Sequence, residues 1–152
     1  MRGDVVLFKS NGSFTDRLIS WGTHGPYVHV EIDLGNGKFL GSQEKGVNIH
    51  GFEKGRDTEV FSPKVSKTNL ELGLAWATRQ VNDPYSYLDN VADALGFLGW
   101  RVILGQQGTY NCSNFVAHYL VAAEAEEPLG KLADSLETIS PNDLARAFGI
   151  LK

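Results

Sequence analysis

The sequence predicts an α+β fold, an antiparallel sheet packed against helices, and three observations carry that prediction. Strand-like runs cluster in the first 62 residues and helical periodicity fills the remainder, the segregation expected of α+β domains. Residues 28–34 alternate strictly, with Val28, Val30, Ile32 and Leu34 on one face and His29, Glu31 and Asp33 on the other. Gly35-Asn36-Gly37-Lys38 follows, and Asn-Gly supplies the positive φ angles of a tight β-hairpin.

Residues 4–9 contain the apolar run Val5-Val6-Leu7-Phe8 and read as a buried first strand. Ser13 or Thr15 caps a short helix with Phe14, Leu18, Ile19 and Trp21 on one side. Gly22-Thr23-His24-Gly25-Pro26 is a loop, because Gly-Pro breaks both regular structures. After the hairpin strand, residues 39–43 return as its partner, and 46–52 and 58–61 are further strands. Thr68-Asn69-Leu70-Glu71 reads as a capping box. The helix it opens runs to about 81, with Leu70, Leu74, Ala77 and Val81 at helical spacing, and Asn82-Asp83-Pro84 stops it. A second helix is expected over about 88–98, and a loop over 105–108. Asn111 caps a helix from Cys112 to about 124 with Phe115, Val116, Tyr119 and Leu120 inward. Ser140-Pro141-Asn142-Asp143 sets an N-cap, a proline in the first turn and an acid, and opens a last helix to Phe148.

A chain of 152 residues, 42% hydrophobic, suffices for one domain over 1–152 with a core that needs no staple. The net charge of −4 and the lack of a Lys/Arg cluster argue against nucleic acid as a partner. No run approaches the ~18 apolar residues of a membrane helix, so no integral membrane segment is expected. The N-terminal apolar run is too short for a signal-peptide core, so the protein is expected to be cytoplasmic at synthesis. Histidines and the single cysteine lack HExxH, CxxC or His-x₃-His spacing, and Gly35-Asn36-Gly37 is a hairpin turn rather than a phosphate loop. Neither a metal nor a cofactor is expected.

Cys112 is the only cysteine, so it forms no internal disulfide. At the first position of a helix its sulfur meets the positive helix end, which favours thiolate, and its backbone N–H is placed to hold an oxyanion. The competing reading is a buried cysteine filling space beside Phe115 and Val116. His29 lies opposite the apolar face of its strand, where it meets water or a cleft and can act as a general base. A solvated polar face is the plainer alternative. His24, in the loop nearby, could substitute for His29. His50 lies in a strand with no partner evident in sequence. His118 is six positions from Cys112, about 240° around the helix, and points elsewhere.

With these pieces placed, the chain resembles the NlpC-type papain-like hydrolases, specifically their circularly permuted YiiX/YaeF-like branch, which includes the lecithin:retinol acyltransferase group. The likeness rests on Gly3-Asp4-Val5-Val6-Leu7-Phe8, the hairpin from His29 to Gly37, Gly46-Val47, Pro84-Tyr85, Tyr110-Asn111-Cys112-Ser113 and Ser140-Pro141-Asn142-Asp143, in the family's order. It implies a permuted papain-like (NlpC-type) fold and cysteine hydrolase activity, with Cys112 as nucleophile and His29 as base. Many relatives place a His or Glu about twelve residues after the base; here that position is Gly41. A three-residue turn centred on Asn36 sets Gln43 opposite His29, and a two-residue turn sets Glu44 there. The family pattern favours Gln43 as the orienting residue, with Glu31 as the fallback.

The expected function is therefore a cysteine amidase or endopeptidase. The resemblance points to a peptide substrate, the stem peptide of bacterial peptidoglycan or a fragment of it. Such an enzyme would be phage-borne, delivered to the cell wall, or active on recycled fragments. A lipid or thioester acyl hydrolase or acyltransferase of the same fold is the alternative chemistry. An inactive papain-like module that binds a wall peptide or a protein is the non-enzymatic one.

Overall fold

Val5–Lys9 (β1), Tyr27–Gly35 (β2), Lys38–Gln43 (β3), Gly46–Gly51 (β4) and Thr58–Phe61 (β5) form one antiparallel sheet, ordered β4-β3-β2-β1-β5. Among the described residues four helices accompany it: Phe14–Gly22 (α1), Lys67–Arg79 (α2), Cys112–Ala122 (α3) and Pro141–Ala147 (α4). The computed structural model describes residues 1–43, 46–52, 55–81, 111–125 and 139–152. The α+β class with an antiparallel sheet is as the sequence predicts. The expected helix over 88–98, the stop at Asn82-Asp83-Pro84, the Pro84-Tyr85 pair, the loop at 105–108, Tyr110 and Glu44 lie outside those residues.

One face of the sheet carries the main core. Val5 and Leu7 of β1, Val30 and Ile32 of β2, Leu40 of β3 and Val47 of β4 pack with Phe115, Val116, Tyr119 and Leu120 of α3. Leu74 and Ala77 of α2 and Leu144 and Ala145 of α4 complete it. Residues at spacings of two on strands and three or four on helices meet here, so the patterns that defined the elements also define their packing. No described helix is long and apolar enough to cross a membrane.

The opposite face is less open than the alternation of β2 suggests. Val6, Phe8 and Phe39 form a second buried cluster there, and Phe52 packs against Phe8 and Phe39 with ring centroids 6.3 and 5.4 Å apart. Because Val6 pairs with Glu31 and Phe8 with His29, these polar side chains share a face with aromatic rings. Glu31 is only 1% exposed. The expectation that His29, Glu31 and Asp33 meet water or a cleft therefore fails at the middle residue. β1 is apolar on both faces, which is the pattern of a strand covered on both sides.

Turn geometry settles the register of the hairpin. Asn36 and Gly37 have φ of 55° and 71°, and Gly35 pairs with Lys38 across a two-residue turn. A bulge between Asp33 and Gly35 then shifts the ladder, giving Asp33↔Phe39 and Ile32↔Leu40. This second register is the one a three-residue turn centred on Asn36 would have set, because the bulge adds back the residue the turn omits.

One cap differs from expectation. α2 is capped by Ser66, whose hydroxyl accepts the Asn69 N–H at 3.1 Å, and not by Thr68. Glu71, the other half of the expected box, is engaged by Arg2, with one Nη2–Oε2 contact of 3.0 Å. Of the two candidates on α1, Ser13 is the cap; Asn111 on α3 and Ser140 on α4 are as predicted, the latter with a reciprocal capping box to Asp143.

Candidate functional site

Asn111 stands in extended backbone, and its side-chain oxygen accepts the Asn114 N–H at 2.7 Å. That contact satisfies one of the free amides at the start of α3 and sets Cys112 as the first helical residue. Cys112 is 4% exposed and belongs to the core cluster. Its sulfur lies 3.8 Å from Ser113 Oγ and takes a hydrogen bond from the Val30 backbone N–H. β2–β3 pairing runs from the turn to Ile32↔Leu40, and the Val30 amide lies just upstream of it. The thiol thus sits at the backbone edge of β2, beside the residue preceding Val30, which is His29.

Cys112 and His29 interact directly, by charge and by a hydrogen bond between their side chains. For His29, burial alone would push its pKa down. The Cys112 charge and hydrogen bond, followed by those of Glu31, overcome this and raise it to about 10. For Cys112, burial alone would push the thiol up. The charge and hydrogen bond of His29, followed by hydrogen bonds from Ser113 and Val30, bring it below the ordinary thiol value. Both shifts run toward a thiolate beside an imidazolium.

Glu31 completes the arrangement. Its Oε1 accepts from His29 Nε2 at 2.8 Å, so one ring nitrogen of His29 is taken up by the carboxylate. Burial raises the Glu31 carboxyl, but its hydrogen bond with His29 and the charges of His29 and His50 hold it below the usual carboxylate range. Phe8 packs against the imidazole with centroids 5.8 Å apart, so the ring is held from one side by charge and from another by an aromatic plane. The His29 side chain remains 21% exposed.

Of the residues expected from sequence, Cys112 and His29 come together. Gln43, expected on the His29 ring, instead donates to Glu31 Oε1 at 3.0 Å and lies 2.8 Å from His50 Nε2. Glu31, the fallback, is the residue that contacts the His29 ring. The cause is local: β3 presents Gly41 next to Glu31, and the carboxylate fills the space that a side chain on Gly41 would take, with an added Cβ only 2.8 Å from Glu31 Cγ. His50, which had no evident role, reaches Glu31 Oε1 at 2.8 Å. The signal that could have found it is the pairing of β3 with β4, because Phe39↔His50 sets His50 on the same face as His29 and Glu31. His118 lies against Trp76, with centroids 6.0 Å apart. The carbonyl of His24 accepts from Arg146 at 2.9 Å.

Asn142 is a second residue whose importance exceeded its sequence signal. It is fully buried, accepts the Tyr27 N–H at 3.0 Å and donates to Tyr27 O and Thr23 Oγ1 at 2.8 and 2.6 Å. It thereby ties α4 to the residue that starts the His29 strand. Among the described residues no group of three or more His, Cys, Asp or Glu is arranged to hold a metal ion. No protein-family model matches the chain, and no curated protein matches it either.

Proposed function

We propose that the chain is a cysteine hydrolase of the permuted papain-like type, cleaving an amide bond through Cys112 and His29. The observation that carries this reading is the meeting of the Cys112 thiol and the His29 imidazole, which shift each other toward their charged forms, with a carboxylate behind the imidazole. A cysteine that merely filled core space would have its thiol pushed up by burial; here the partners reverse that direction.

The Cys112 thiolate attacks the carbonyl carbon, and the resulting oxyanion lies at the helix end, where the Cys112 backbone N–H has no intrahelical acceptor. The His29 imidazolium gives its proton to the departing amine as the C–N bond breaks, leaving a thioester on Cys112. Neutral His29 then takes a proton from water, the hydroxide attacks the thioester, and the thiolate leaves to restore the ion pair. Glu31 keeps the ring oriented and favours its charged form.

The substrate class, peptide stems of peptidoglycan, rests on the resemblance of the motifs. A second reading, acyl ester or thioester hydrolysis, draws support from the Phe8–Phe39–Phe52 cluster beside His29, whose outermost ring is 44% exposed. Labelling with a fluorescent thiol probe followed by turnover of muropeptides and acyl esters tests both. Wild type is expected to label and Cys112→Ala not, and faster muropeptide turnover selects the amidase. Equal labelling of wild type and His29→Ala would remove His29 from the mechanism.

A further inference from the structure

Around Glu31 the protons do not fit a single arrangement. His50 Nδ1 lies 2.8 Å from the Gly51 carbonyl, which only accepts, so Nδ1 carries a hydrogen. The other nitrogen, Nε2, lies 2.8 Å from both Gln43 Nε2 and Glu31 Oε1. Gln43 must turn its amide nitrogen toward Glu31, because its oxygen there would oppose a carboxylate oxygen. The Gln43 nitrogen is therefore a donor, and Nε2 can accept from it only as a bare lone pair. The contact with Glu31 requires the reverse, a hydrogen on Nε2. Neutral His50 satisfies Gln43, and cationic His50 satisfies Glu31.

We propose that His50 is a positioning residue whose proton decides how much of the Glu31 carboxylate is available to His29. Both imidazoles reach the same oxygen, Oε1, at 2.8 Å. With His50 neutral, the Glu31 charge serves His29 and supports the thiolate–imidazolium pair. With His50 protonated, the oxygen is shared between two cations, His29 holds its proton less well, and the pair relaxes toward neutral thiol and imidazole. The coupling is reciprocal, as any linkage between two sites must be.

The titratable groups facing this imidazole among the described residues are Glu31 and His29 of β2; β3 contributes the neutral Gln43. Asp33, further along the same face, is engaged by the Met1 amino group at 3.4 Å. The proposal rests on the hydrolase reading for its consequence but not for its geometry. The His50 side chain is 20% exposed on an edge strand, so it can exchange protons with solvent.

The test is the pH dependence of Cys112 alkylation by iodoacetamide in wild type and His50→Gln, with ¹⁵N NMR of the histidine rings of the wild-type protein. The wild-type acid limb is expected to be steeper than one proton, and that of His50→Gln to be a single-proton curve. At the foot of the limb the variant should react about fivefold faster or more, with equal rates on the plateau. The His29 ring nitrogens should shift in step with the titration of His50. Superimposable profiles, with His29 resonances unmoved as His50 titrates, overturn the proposal. A Cys112 that fails to react at any pH would instead count against the hydrolase reading, and the NMR titration alone would then decide the coupling; a misfolded variant leaves the same titration as judge.

Discussion

The Glu31 side chain occupies the volume that a residue larger than glycine would need at Gly41, the added Cβ falling 2.8 Å from Cγ and 3.1 Å from Oε1 of Glu31. A carboxylate on β2 thus stands where the resemblance places a side chain from β3. Glu31 and Gly41 are one unit: the acid can lie against His29 only while its neighbour has no side chain. Gly41→Ala should therefore act on His29 through Glu31, without touching either member of the thiol–imidazole pair. Overpacking a buried site of this kind costs about 1–3 kcal/mol. Urea denaturation is expected to show that loss, and the Cys112 alkylation rate at neutral pH to fall with it. Glu31→Gln should reproduce the fall in rate without the steric cost, and a Gly41→Ala protein as reactive as wild type would break the link.

The pH profile follows from the two opposed shifts. Cys112 lies below the ordinary thiol value, so thiolate, and with it alkylation, should appear at lower pH than for a free cysteine. His29 keeps its proton until about pH 10. Under the proposed mechanism amide hydrolysis needs both the thiolate and the imidazolium, so it should rise through the Cys112 limb and fall again near pH 10. Alkylation needs only the thiolate and should not fall there. In His29→Ala the cation is gone while burial remains, so the alkylation limb should move upward. If His29 is the general acid and base proposed above, its loss should lower hydrolysis by about 10²- to 10⁴-fold. Parallel stopped-flow alkylation and hydrolysis profiles check both statements.

Much of this site was legible in the sequence because it depends on local signals. The Asn111 cap, the alternation around His29 and the Asn-Gly turn each place a residue by its immediate neighbours. What spacing left open was register, and what it missed was company across the sheet. Neither a two- nor a three-residue turn alone describes the hairpin, because the bulge at Asp33/Gly35 combines the first with the ladder of the second. Gln43 nevertheless reaches Glu31 rather than the imidazole, a distinction of side-chain reach that spacing cannot encode. His50 enters through a strand pairing, and no motif of its own announces it. The Thr68–Glu71 box failed because Ser66 caps the helix and Arg2, distant in sequence, engages Glu71.

Asn142 converts a helix-start motif into a latch on the site. It meets both backbone polar groups of Tyr27, and Gly25 lies so close that an added Cβ would fall 2.3 Å from Asn142 Oδ1. Asn142→Ala leaves the Tyr27 N–H and C=O buried without these partners, and each such loss costs about 1–3 kcal/mol. The variant is expected to unfold at lower urea concentration. Because Tyr27 begins the strand that carries His29, Cys112 reactivity should fall even where the protein remains folded. Ser140→Ala, which disturbs only the reciprocal cap of α4, should cost about 0.5–2 kcal/mol and leave reactivity unchanged.

Asn111 permits charge and capping to be separated. Asn111→Asp retains an oxygen for the Asn114 N–H, and an acid at a helix start is as good a cap as an amide. Stability should therefore stay close to that of wild type. The new charge, however, stands one residue from the sulfur and opposes formation of the thiolate, so the alkylation limb should move to higher pH. Asn111→Ala should do the converse: it adds no charge but removes the cap, at about 0.5–2 kcal/mol. If the helix start serves only to fix the fold, the two variants will rank by stability alone. If it also holds Cys112 as a nucleophile, Asn111→Asp will be the more stable of the two and have the higher thiol pKa, a crossing that denaturation and alkylation profiles measured on the same samples would reveal.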